Sequence, residues 1–211
     1  PDDMGITAPP KDLRIWLFHA LKASSAVMIH HGTILSAELL DKFLGDYSSL
    51  IRYFAPDVTI GVKNLDTYSS IYSEVCHELS HASHFSKVGV DYWNKYIRYI
   101  VKSYLATGGM TYGDGVSEDA GYCEIGECWA YYLESKMYKE RYGGNIPAFG
   151  NDYWFYPQIF RYLDERGLTR SDIFSVLTAS VRSREDLRQA LIGSFPEKRT
   201  IIEQVFGRYG N

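Results

Sequence analysis

Hydrophobic positions recur at helical spacing along most of this chain and form strand-like runs in only a few places. Residues 12–22 read as a helix, 26–31 as a short apolar strand, and 36–54 as a helix through Leu39, Leu40, Phe43, Leu44 and Leu50 with Ser36 as its N-cap. Pro56 stops that helix, and the β-prone run 58–62 follows. A central helix is expected over residues 66–85, a second over 92–105 and a third over 124–141. Between the last two, residues 106–121 hold five glycines and read as a long loop of the kind that surrounds a site. After a turn at 143–147 the chain is helical, with caps at Ser171 and Ser183 and a stop before Pro196. The pattern is that of an α+β chain, mostly helical with a small sheet. Residues 1–11 form an extended lead-in, and 12–211 form a single domain whose part from about 144 to 211 is helical.

Composition narrows the function classes. With 211 residues, 45% hydrophobic and 23% charged, the chain can bury a real core without needing a metal or disulfides to fold. A net charge of -4 and no long basic run exclude an electrostatic footprint for nucleic acid. The apolar stretch 13–29 is interrupted by Arg14, His19 and Lys22, so the chain is not expected to span a membrane. Cys76, Cys123 and Cys128 are odd in number and lack C-x-x-C spacing, which argues against a cysteine zinc site. The 18 tyrosines suit a surface that binds polymers.

The chemistry concentrates at residues 77–81, which read HELSH. Two histidines four apart on a helix project from one face, so His77 and His81 can reach one metal ion while Glu78 stands beside it as a general base. At about 100° per residue, Ile71, Val75, Leu79 and Ala82 fall on the side opposite His77, His81 and His84. That places one face in a core and the other towards a cleft. A catalytic zinc site needs a third protein ligand and an open position. His84 and Lys87 stand where a metzincin would have glycine and a third histidine, which excludes that pattern. A carboxylate on a later helix remains. On the same wheel Glu127, Tyr131 and Glu134 share one face, with Ile125, Cys128, Trp129 and Tyr132 opposite. Glu127 is the favoured ligand and Glu124, one turn earlier, its rival; His84 would sit awkwardly as a third ligand.

HELSH followed by a helix carrying glutamate and then alanine three residues on (Glu127, Ala130) resembles the gluzincin group of zinc metallopeptidases over residues 77–134. The resemblance implies a zincin-like domain with one zinc per chain on His77, His81 and Glu127. It also implies a small sheet whose edge strand, expected at 58–62, lies along an extended peptide or protein substrate. The activity expected is peptide-bond hydrolysis, in which zinc acidifies a water towards a pKa of about 7 and Glu78 moves its proton to the leaving amine. Tyr122, Tyr112 and Tyr131 are candidate donors to the oxyanion, Tyr122 first because it lies just before the ligand helix.

Two other classes fit the same residues. One is a catalytically silent, zincin-like module that binds peptides or glycans; the presence of Glu78 argues against it. The other is a zinc hydrolase of a non-peptide amide. A tyrosine-rich chain of this kind that begins at Pro1 favours an exported, periplasmic or cell-envelope setting over the cytoplasm. Substrate specificity, endo- or exopeptidase action and oligomeric state leave no mark in the sequence.

Overall fold

A computed structural model describes residues 4–33, 56–107, 112–144 and 153–209. Among them are three short strands, β1 (Ile15–Phe18), β2 (Ser25–Ala26) and β3 (Val58–Gly61), followed by seven helices. These are α1 (Tyr68–Val88), α2 (Val90–Thr107), α3 (Ala120–Tyr142), α4 (Gln158–Glu165), α5 (Arg170–Val176), α6 (Arg184–Ser194) and α7 (Arg199–Tyr209). The chain is therefore α+β, mostly helical with a small sheet. The expected helix at 36–54 and its cap Ser36 lie outside the described residues.

The sheet order is β1-β3-β2, with β1 parallel and β2 antiparallel to β3. Two expectations are corrected here. The 12–22 region is not a helix: Ile15–Phe18 pairs with Val58–Gly61, and the buried Asp57 carboxylate accepts from the backbone N–H of Arg14 at 3.1 Å to lock the register. The run 58–62 is not an edge strand: β3 is central, with Val58 and Ile60 buried beneath the helices. Its apolar side chains lie on one face, while Thr59 on the other is half-buried. The strand expected at 26–31 shortens to Ser25–Ala26, because the chain turns at Met28, which takes φ 56°.

α1 begins at a capping box in which Thr67 and Ser70 each accept from the other's backbone N–H, at 3.1 and 3.2 Å. It ends at Gly89, whose φ of 83° suits a residue without Cβ. α3 starts four residues before the expected 124, at Ala120, so Glu124 lies inside the helix. Gly121 is needed there because a Cβ would meet the Arg182 carbonyl oxygen at 2.0 Å. Ser183 caps α6 as expected, whereas α5 is capped by Thr169 rather than Ser171.

α3 divides two cores. Ile125, Trp129, Tyr132 and Leu133 face the C-terminal helices, packing with Phe160, Leu163, Ile173 and Leu191. Cys123 and Ala120 face the other way, towards the sheet, with Phe85, Trp93 and Tyr96. α1 packs along α3 and also touches β2, β3 and α2. The wheel expectation for α1 is only half met. His77, Glu78, His81 and His84 are the buried side, closed over by α2 and α3, while Ile71, Val75 and Leu79 are partly exposed. Leu79 lies in an apolar groove that residues 6–9 of the lead-in help to line. No helix among the described residues is long and apolar enough to cross a membrane.

Candidate metal centre

His77 and His81, one turn apart on α1, turn their Nε2 atoms to within 3.1 Å of each other. Glu127 arrives from α3, its Oε2 3.5 Å from His77 Nε2 and its Oε1 3.6 Å from His81 Nε2. The ligand atoms of the three lie within 4.8 Å of one another, the one such group among the described residues. All three side chains are buried. Ala130, with no exposed surface, keeps α3 slim where it faces α1.

Each ligand is held by further groups. His77 Nδ1 lies 3.0 Å from Glu134 Oε2, and the other oxygen of that carboxylate accepts from Ser73 Oγ at 2.6 Å. The Nδ1 proton is thereby directed at Glu134, which leaves Nε2 for a metal. Tyr96 of α2 donates to Glu127 Oε1, while Glu127 Oε2 has no hydrogen-bond partner. A buried carboxylate oxygen left bare beside two converging imidazole nitrogens is costly unless a cation occupies the point between them. The donor set and its orphaned atom therefore fit a metal ion.

Electrostatics tell the same story. Burial alone would depress the His77 imidazole, but Glu127 and Glu134 outweigh it and hold its pKa well above the ordinary value. Burial raises and the two histidines lower the Glu127 carboxyl, and the histidines win. Burial pushes His81 down to about 4 and Glu78 up to about 8. Glu78 Oε2 has no partner although the residue is only 4% exposed.

Beside this group lies a cleft of about 440 Å³, reached by His77 and Glu78 and walled by Tyr112, Tyr131, Tyr153 and Trp154. The Tyr112 and Tyr131 hydroxyls are 3.2 Å apart, and Tyr131 donates onward to Tyr153 at 3.4 Å. Burial raises the pKa of both Tyr112 and Tyr131, so they remain protonated donors. The Tyr112 carbonyl is pinned by Tyr99 and Trp154, at 2.8 and 2.7 Å.

Of the residues singled out in the sequence, His77, Glu78, His81 and Glu127 come together. Glu124 does not: it is paired with Arg184 of α6, whose Nε donates to it at 2.7 Å. His84 has no exposed surface and packs edge-on against Tyr92 and Trp93, and both its ring nitrogens are unpartnered. Tyr122 packs on Tyr92, with ring centroids 4.6 Å apart, and is not among the residues lining the cleft. Sequence reasoning missed the roles of Glu134, Ser73 and Tyr96. Glu134 shares the Glu127 face, and Ser73 stands one turn before His77, so both carried a positional signal; Tyr96 carried none.

Compared with known proteins, the chain matches no family model, no curated protein and no solved structure.

Proposed function

We propose that this protein is a zinc-dependent metallopeptidase of the gluzincin type. The observation that carries the reading is the convergence of His77, His81 and Glu127 beside an unpartnered, buried Glu78 at a cleft. Zinc is favoured by the donor chemistry of two imidazoles and a carboxylate. The spacing allows a shared ion, since one ligand atom from each of the three residues lies within 4.8 Å of the others.

When bound, zinc acidifies a water and polarises the scissile carbonyl. Glu78 takes the proton from the attacking water and delivers it to the leaving amine as the C–N bond breaks. A dication nearby favours the ionised carboxylate and so counters the burial that raises Glu78 to about 8 in the metal-free site. Tyr112 and Tyr131, which line the cleft where Tyr122 does not, are the donors placed to meet the oxyanion. The strand adjoining the cleft is the edge strand β2, since Ala23 and Ser24 just before it line the cleft. An extended peptide can add there through backbone hydrogen bonds.

The test is zinc content together with cleavage of a diverse peptide library by the wild type and Glu78→Gln. We expect about one zinc in both proteins and a loss of cleavage of at least about a hundred- to ten-thousandfold in the variant. A fully active variant would assign the base elsewhere. A zinc-loaded wild type that leaves every peptide intact would favour hydrolysis of a non-peptide amide or a silent binding module.

A further inference from the structure

The charged lining of the cleft is one-sided. Among the described residues it contains the carboxylates of Glu74, Glu78 and Glu134 and no lysine or arginine; its one basic group, His77, is already committed to Glu134 and Glu127. Two of the three have work on the page: Glu134 holds His77 and Ser73, and Glu78 is the proposed base. Glu74 has none. It is half-buried on α1, and no hydrogen bond or ion pair joins it to another described residue. Glu74 and Glu78 stand four apart on one helix face, and once Glu78 is ionised, as a base must be, the pair is like-charged and opposes helix stability. Glu78, which lines the same cleft, also keeps a buried Oε2 without a hydrogen-bond partner. Tyr131, Tyr153 and Trp154 line the cleft as well. Carboxylates and aromatic rings lining one cleft form a surface suited to a cation, chiefly by charge.

We propose that the cleft recognises a cationic group of the substrate through the Glu74 carboxylate, so that cleavage falls next to a basic side chain or a free amino terminus. The proposal rests on the peptidase reading above and names its substrate class. Four residues, about 6 Å of helix rise, separate Glu74 from Glu78 along α1. That distance is within reach of a lysine or arginine stem flanking the bond at Glu78, and of the α-ammonium of a terminal residue. The two sources share the same chemistry at Glu74 and differ in where the cation is attached.

The test uses zinc-loaded protein carrying Glu78→Gln to stop turnover, with and without Glu74→Gln. Three short peptides of otherwise identical sequence are titrated by calorimetry: acetylated with lysine, acetylated with norleucine, and norleucine with a free amino terminus. At least one cationic peptide is expected to bind about five- to tenfold more tightly than the acetylated norleucine peptide, the scale of a half-exposed ion pair. Glu74→Gln should erase that preference while leaving the norleucine peptide unaffected and the melting temperature within a few degrees. Which cationic peptide shows the preference identifies the source. Equal binding of all three peptides, or a preference that survives Glu74→Gln, overturns the proposal. Failure of the peptidase reading would appear separately, as no cleavage of any of the three peptides by the wild type while the cationic preference persists.

Discussion

The two faces of α3 bury different chemistry. Towards the C-terminal helices it presents Trp129, Tyr132 and Leu133 to Phe160, Leu163, Ile173 and Leu191. The buried polar atoms left unpaired there belong to neutral groups, Trp129 Nε1 and Tyr132 OH. Towards α1 it presents Glu127 to His77, His81 and Glu78, and the unpaired atoms are those of ionisable, ligand-type groups. An unsatisfied buried polar group costs about 1–3 kcal/mol. The apolar side stabilises the chain at little polar cost, and the α1 side spends part of that stability on a preorganised site. The carboxylates of α3 show the division within one helical turn: Glu124 is neutralised by Arg184, whereas Glu127 keeps a bare oxygen among imidazoles.

Substitutions on the two faces should therefore separate stability from metal binding. The largest effect is expected for His81→Ala, which removes one of three ligands. Zinc affinity should fall by more than the ten- to hundredfold typical of a supporting residue, with full zinc retention in a titration contradicting the site. On the other face, Leu163→Ala should cost about 2–5 kcal/mol in a denaturant melt and leave zinc affinity of the folded protein unchanged. A comparable loss of zinc would show that the two faces are not independent. Glu134→Gln, which weakens the hold on His77, should lower zinc affinity by about ten- to a hundredfold without a stability loss on the scale of Leu163→Ala; competition with a chelator reads this directly.

An effect absent at neutral pH concerns acid stability. Burial holds His84 at about 3, below the ordinary histidine value of 6.5, so the unfolded chain binds a proton that the folded chain refuses across that interval. Stability contributed by the neutral ring is present above about pH 6.5 and is lost as pH falls towards 3, by up to about 1.4 kcal/mol per pH unit. His84→Phe, placed among Tyr92 and Trp93, should therefore lose melting temperature less steeply than the wild type on acidification. Parallel curves would show that His84 takes no part.

The site was largely legible because helical periodicity is local. His77 and His81 at i and i+4, and Glu127 on the face opposite Trp129, follow from spacing alone, and the structure keeps both. The faces of α1 were harder to read. Its histidine side, expected to turn to a cleft with the apolar side in the core, is the more buried of the two, because α2 and α3 close over it and metal-type polar groups mimic a surface pattern. Ile15–Phe18 was misread because its strand character depends on pairing with Val58–Gly61, more than forty residues away. The same non-locality hid the Tyr96 bond to Glu127 and the claim of Arg184 on Glu124. Tyr122 precedes the ligand helix in sequence, yet its ring packs on Tyr92.

The central claim is that α3 offers Glu127, and not Glu124, to a metal held by His77 and His81. Zinc titration of the wild type, Glu127→Ala and Glu124→Ala at one pH tests it most directly. One zinc per wild-type chain is expected, with a sharp loss of affinity in Glu127→Ala. Glu124→Ala should bind zinc almost as the wild type does while melting at a lower temperature, because Arg184 loses its partner. A larger zinc loss in Glu124→Ala than in Glu127→Ala, or no zinc bound by the wild type, would contradict the account.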